Sequence, residues 1–99
     1  MRTIQADNLI AVDVFCANHN VEISFISSLQ QIGMIEITTV EKTEFIDADQ
    51  LRELERFIRL YYEMDINLEG IETITHLLQR ISSLQNEIIA LQNKLRLYE

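Results

Sequence analysis

Hydrophobic residues recur at helical spacing near the start of this chain, after a short stretch that favours an extended backbone. Residues 9–11 form the extended stretch. Val12, Phe15 and Cys16 then fall on one side of a short helix. Asp13 is placed to cap this helix, because aspartate side chains accept hydrogen bonds from the free N–H groups at helix starts. The pattern therefore predicts a strand that leads directly into a helix.

A second helix is predicted over residues 22–31, after a turn in which Asn20 suits a left-handed backbone. Its apolar face consists of Phe25, Ile26, Leu29 and Ile32. Gly33 is expected to end it, because glycine adopts the left-handed conformation of C-terminal caps readily. Two helices joined by a short turn are the elements of a helix-turn-helix.

A β-hairpin is predicted next, because residues 35–40 and 44–46 are rich in β-branched side chains and partly alternate. The polar residues 41–43 would form its turn. Asp47 then resembles the N-cap of a third helix over residues 48–64. The buried stripe of that helix is predicted at Leu51, Leu54, Ile58 and Tyr61.

The last helix, which Asn67 can cap, has the most regular pattern in the chain. Its apolar residues are spaced alternately by three and four: Ile74, Leu77, Ile81, Leu84, Ile88, Leu91, Leu95 and Tyr98. Isoleucine at a and leucine at d is typical of two-stranded coiled coils. The pattern predicts a homodimer built on this helix, with packing back onto its own head as the alternative. In a parallel pair only Lys94 and Glu99 would be oppositely charged, so the flanking residues leave the orientation open.

The order helix, turn, helix, hairpin, helix, helix is that of a MerR-like winged helix-turn-helix. The chain is thus predicted to be mainly α, with a small β-hairpin wing and a long C-terminal coiled-coil helix. Residues 1–67 would form the head and residues 68–99 the dimerisation helix. MerR-like proteins usually pair such helices antiparallel, and by analogy we expect the same here.

Charge argues against nucleic acid as the partner. The chain has 16 acidic and 8 basic residues, a net charge of −8. The second helix, EISFISSLQQIG with its flanks, carries no cation at all, whereas DNA readers need cations near phosphates. The length of 99 residues suits one small domain, and its acidic charge suits a basic partner surface or a protein partner in general.

Little in the sequence indicates chemistry at a catalytic or metal site. Cys16 and His19 could share a metal, but too few further ligands are near in sequence, and His76 is isolated. Asp47 and Asp49 are better explained by capping than by acid–base catalysis. We therefore expect no enzyme activity, no cofactor and no metal. A single cysteine, no apolar run long enough for a bilayer and no signal peptide favour the cytoplasm.

One basic cluster, Arg52, Arg56 and Arg59, lies on the third helix. Glu55 and Glu63 are each four residues from Arg59, so the cluster could be a solvated face held by weak ion pairs. Alternatively, it could be a charged docking face for a partner.

Several short segments are similar to the chaperone-modulator family, the CbpM-like proteins. These segments are DVFCANHNV, IGMIE, FIDADQL, RFIRLYYEM and LEGI, and the resemblance covers residues 10–98. The matching positions are Phe15, Cys16, Gly33, Glu36, Asp47, Arg56, Arg59, Leu60, Glu63, Gly70 and Ile71. The chain departs from the family at Asn20, where members often have glycine, and in its tail, which is richer in Asn and Gln than in basic residues.

The resemblance implies a protein that binds the J-domain of a DnaJ-like (CbpA-type) co-chaperone and inhibits its action on Hsp70. The residues expected to bind the partner are Arg56, Arg59, Tyr62, Glu63 and Asp65. A MerR-like DNA-binding transcription regulator is the alternative, with Lys42 at the wing tip as almost its only available cation. A dimeric scaffold for some other protein partner is a third possibility.

Overall fold

The structure, a computed structural model, describes residues 8–98 and has the predicted winged helix-turn-helix order. Its elements, in chain order, are β1 (Leu9–Ala11), α1 (Val12–His19), α2 (Ile23–Gln31), β2 (Ile37–Val40), β3 (Thr43–Asp47), α3 (Leu51–Ile58) and α4 (Leu68–Arg96). A 3₁₀ turn, Ala48–Gln50, precedes α3, and a π-helical segment, Arg59–Glu63, follows it. The chain divides into two compact units between Ile66 and Asn67.

The strands form one antiparallel sheet in the order β1-β3-β2. Ile46 of β3 lies opposite Ile10 on one side and Ile37 on the other, and it is fully buried. The predicted hairpin is confirmed as the wing, but its turn contains two residues rather than three, because Val40 already pairs with Thr43. Ile35, predicted to begin the first wing strand, is buried just before β2.

The core of the first unit contains the predicted apolar faces of α1 and α2. Its buried hydrophobic residues are Val12, Phe15, Cys16, Val21, Phe25, Ile26, Leu29, Ile35, Ile46, Leu54 and Phe57. Ile32, predicted on the buried face of α2, is instead 38% exposed, because it lies beyond the last turn of the helix.

The helix boundaries follow the predicted capping residues in most places. Asn20 has φ +56° and ends α1. Gly33 has φ +79°, and the N–H of Met34 donates to Leu29 O at 2.9 Å, which closes α2 in a Schellman-type cap. The prediction for Asp13 was wrong: the N-cap is Ala11, two residues earlier, and the Asp13 carboxylate accepts from the N–H of its neighbour Val14 at 2.8 Å.

The predicted third helix is interrupted. Asp47 caps as expected by accepting from the N–H of Asp49 at 3.0 Å, but it caps the 3₁₀ turn that precedes α3. After Ile58 the backbone widens into the π segment, where the N–H of Met64 donates to Arg59 O, five residues back. Tyr61 is therefore turned outward and is 37% exposed, contrary to prediction.

The second unit is the helix α4. The Asn67 side chain accepts from the N–H of Gly70 at 2.8 Å, which confirms it as the N-cap. Within α4, Ile71 and Thr75 are buried. The helix ends at Arg96, so Tyr98, predicted as the last residue of the coiled-coil pattern, lies past its end. None of the helices described in residues 8–98 is long and apolar enough to cross a bilayer.

Candidate functional site

The exposed face of α2 is neutral. Ser24, Ser27, Gln30 and Gln31 are exposed along it. Two of its serines satisfy their hydroxyls locally: Ser28 Oγ donates to Ser24 O at 2.9 Å, and Ser24 Oγ donates to the Glu22 carboxylate at 3.2 Å. A helix that reads the major groove presents donors and cations to the base edges and phosphates, and this one presents neither Lys nor Arg.

The wing adds almost no positive charge. Residues 8–50, which contain the helix-turn-helix and the wing, have seven acidic residues and one lysine or arginine, Lys42. Lys42 is exposed at the wing tip, between Glu41 and Glu44 in sequence. The surface that would contact DNA in a winged helix-turn-helix is therefore negatively charged.

A shallow cavity of about 340 Å³ lies beside the wing and is lined by Glu36, Asp47 and Asp49 among others. The Gln50 side chain fixes one side of it, because its amide accepts from the N–H of Glu36 at 2.7 Å and donates to Glu36 O at 2.8 Å. Within residues 8–98 no three potential ligand side chains are arranged to hold a metal ion.

An aromatic cluster, formed by Phe25, Tyr61 and Tyr62, connects α2 to the π segment. The Phe25 ring lies 4.5 Å from Tyr61 and 5.4 Å from Tyr62, measured between ring centroids. The Tyr62 hydroxyl accepts a hydrogen bond from the N–H of Glu22, at the start of α2, at 3.2 Å. Both tyrosines keep more than a third of their surface exposed, so the cluster is partly a surface feature.

The structure places the predicted partner-binding residues at the end of α3 and in the π segment. Arg56 is half-buried and pairs with Glu53, whereas Arg59 and Glu63 are exposed. In the described part of the chain the predicted i,i+4 pairs of Arg59 do not form. Asp65 holds φ +55°, and beside it the N–H of Ile66 donates to Leu60 O at 2.9 Å.

Sequence reasoning missed the ring contacts that join Phe25 to Tyr61 and Tyr62. Phe25 is confirmed as a core residue, whereas Met64, which is 62% exposed, was not considered. The adjacent tyrosines and methionine in LYYEM were the available signal, because exposed aromatic and methionine side chains are enriched at interfaces.

The structure places Cys16 and His19 on the same helix, α1. Cys16 is buried, and burial, with a smaller contribution from the negative charge of Asp13, raises the pKa of its thiol. The His19 ring stacks on Phe15 with centroids 4.1 Å apart, and its Nδ1 lies 3.1 Å from Phe15 O.

The strand, the two helices at a tight turn, the wing and the long final helix define a winged helix-turn-helix protein of the regulator type. The chain belongs to the MerR HTH family of regulatory proteins, whose family model matches residues 10–93. Searches of curated proteins and of solved structures gave no significant match.

Proposed function

We propose that this chain regulates by binding protein: it binds the J-domain of a DnaJ-like (CbpA-type) co-chaperone and inhibits the action of that co-chaperone on Hsp70. The observation that carries the proposal is the missing positive charge on the surface that would contact DNA. Residues 8–50, with Lys42 as their single lysine or arginine, lack the cations whose counterion release drives DNA binding. A protein partner needs no such cations.

Charge also supports a partner with a basic surface. The resemblance to the chaperone-modulator family implies a J-domain that displays a basic helix recognised by the Hsp70. A protein of net charge −8 would attract such a surface and associate with it quickly at low salt. Binding would then block the Hsp70 by occupying the same helix.

The docking face that we propose contains Arg56, Arg59, Tyr62, Glu63 and Asp65. Tyrosine and arginine are the residue types that most often dominate binding energy at interfaces. Tyr62 is fixed by its hydrogen bond to the start of α2 and by its contact with Phe25, so little side-chain entropy would be lost on binding.

The protein would act as a homodimer through the exposed apolar residues of α4. We define the α4 seam as Ile74, Leu77, Ile81, Leu84, Ile88, Leu91 and Leu95. From Leu77 onward its side chains are between 45% and 63% exposed. A continuous exposed apolar row of this length is what a two-stranded coiled coil covers. The cytoplasm, where co-chaperones and Hsp70 meet, would be its compartment.

Calorimetric titration with the J-domain of a DnaJ-like co-chaperone, at low and moderate salt, tests the proposal. We expect binding near one J-domain per protomer, weakened by salt. The double reversal Arg59→Glu with Glu63→Arg should weaken binding at least tenfold without changing the net charge. Arg52→Glu with Glu55→Arg, on exposed residues outside the docking face, is the matched control, because it also keeps the net charge. Absence of heat and of complex at high protein concentration would refute the function.

A DNA-binding transcription regulator is the second candidate, because the matching family is described as MerR HTH regulatory proteins. Its DNA contacts would depend on α2 and on Lys42. Duplex binding at micromolar concentration or below, at physiological salt, would support this candidate. Loss of that binding in Lys42→Glu would assign it to the wing.

A further inference from the structure

The charges that flank the α4 seam all lie along one of its edges. Arg80, Glu87 and Lys94 occupy the g positions of the heptads that begin at Ile74. The other edge, formed by the e positions within the helix, is uncharged: Leu78, Gln85 and Gln92. The electrostatic energy of a helix pair therefore depends on whether its two charged edges meet each other or each meets a neutral edge.

We propose that, in the antiparallel pair expected for this family, the two copies of α4 are staggered by one heptad, so that Arg80 of each copy lies against Glu87 of the other. This inference rests on the homodimer within the proposed function and specifies its register. Reversing one helix brings g positions beside g positions, whereas parallel helices bring g beside e. In a parallel pair Arg80 and Glu87 would both face glutamines, and the two helix dipoles would align unfavourably.

The stagger follows from where the helix ends. Without a stagger, Arg80 would face Lys94 and Glu87 would face Glu87, so every charged contact would be repulsive. The outermost layers of that register would also need Tyr98, which lies past the end of α4 at Arg96. The unstaggered register therefore keeps six layers within the helices and adds only repulsion at their edge.

Moving the partner by one heptad gives the proposed register. Its six layers are Ile74–Leu91, Leu77–Ile88 and Ile81–Leu84, each occurring twice by symmetry. Arg80 and Glu87 then form an attractive contact twice, and Lys94 faces Thr73, which is neutral. The opposite stagger would pair Glu87 with Lys94, but it would need Tyr98 again and keep only four layers within the helices.

The full-length variant Arg80→Glu tests the register through the dimer dissociation constant, measured by sedimentation equilibrium. Two attractive contacts become repulsive, so we expect the constant to rise about tenfold. The double variant Arg80→Glu with Glu87→Arg exchanges the charges and should restore the wild-type value. The unstaggered register predicts the opposite change in the dissociation constant. There the new glutamate would face Lys94, so Arg80→Glu would tighten the dimer.

Lys94→Glu is the matched control, with the same charge change on the same edge. It should leave the dissociation constant nearly unchanged, because it faces Thr73 in the proposed register. If Lys94→Glu weakens the dimer, the helices pair with the opposite stagger or in parallel. If either single variant tightens the dimer, the helices pair without a stagger. Each of these results overturns the proposal. A wild-type monomer that still binds the J-domain would refute the dimer and this register but not the J-domain function.

Discussion

The tip of the wing has two adjacent residues with left-handed backbones. Glu41 has φ +49° and Lys42 has φ +67°. A two-residue hairpin turn requires positive φ at both positions, because its twist must match that of the strands, and Asn-Gly is the preferred pair. Residues with a Cβ are strained there by roughly 1 kcal/mol each. The wing tip is therefore less stable than the same turn would be with glycine at one of these positions.

Lys42→Gly should raise the free energy of unfolding by about 1 kcal/mol, because glycine relieves that strain. Urea unfolding followed by circular dichroism measures the change. Thr43→Gly, one residue later in β3, is the control and should lower the stability, because it removes a strand residue's side chain. A less stable Lys42→Gly protein would mean that the lysine side chain contributes more than the backbone strain costs.

Cys16 links stability to pH at the residue scale. Burial raises the pKa of its thiol above the ordinary value of 9.0, so the unfolded chain loses this proton at lower pH than the folded one. The stability from the neutral buried thiol is full below about pH 9 and declines as pH rises through the raised pKa. Comparing the wild type with Cys16→Ala between pH 7 and 10.5 isolates this contribution. Above pH 9 the free energy of unfolding of the wild type should fall relative to that of Cys16→Ala, by at most about 1.4 kcal/mol per pH unit. Parallel pH profiles of the two proteins would contradict the assignment.

Local capping was the part of the fold most accessible from sequence. Asn20, Gly33 and Asn67 were assigned correctly, because their conformation or hydrogen bond involves residues a few positions away. Asp13 was misassigned because β1 runs directly into α1, which leaves Ala11 at the cap position. The apolar periodicity of α1 and α2 was sufficient to identify most of the core.

At the scale of the elements, the interruption after α3 could not be predicted. A π segment leaves no hydrophobic signature, because it inserts an extra residue in a turn without changing residue types. The predicted stripe therefore continued to Tyr61, whereas the wider turn leaves Leu60 half-buried and exposes both tyrosines. The candidate docking face depends on this turn, which explains why the sequence indicated its residues but not the aromatic cluster with Phe25.

The hydrogen bond between the π segment and α2 predicts different effects for two neighbouring tyrosines. Tyr62→Phe removes the acceptor of the Glu22 N–H and should lower the free energy of unfolding by about 0.5–1 kcal/mol. Tyr61→Phe is the matched control, because its ring also contacts Phe25 but the bond to Glu22 belongs to Tyr62. Thermal unfolding of both variants gives the comparison. Equal losses would assign the contribution to the rings rather than to the hydrogen bond.

At the scale of the whole molecule, the two units differ in what their hydrophobic residues do. The first unit contains most of the buried apolar residues, and its core could largely be identified from sequence. The residues of the α4 seam from Leu77 onward stay exposed, and in the proposed homodimer a second chain would cover them. The apolar periodicity predicted the seam. The end of the helix at Arg96, which only the structure shows, excludes Tyr98 from the helical layers of the proposed dimer.

Breaking the seam should separate dimerisation from folding. Ile88 is 54% exposed, so Ile88→Asp removes no intramolecular core contact but places a charge within the apolar seam of the proposed dimer. We expect the dimer dissociation constant to rise at least a hundredfold in sedimentation experiments, while the head keeps its near-ultraviolet circular dichroism. Asn86→Asp adds the same charge on the outer face of α4 and should leave the dimer intact. If Ile88→Asp dimerised like the wild type, the α4 seam would not be the contact between subunits, and its exposed row of isoleucine and leucine would have to face a different protein.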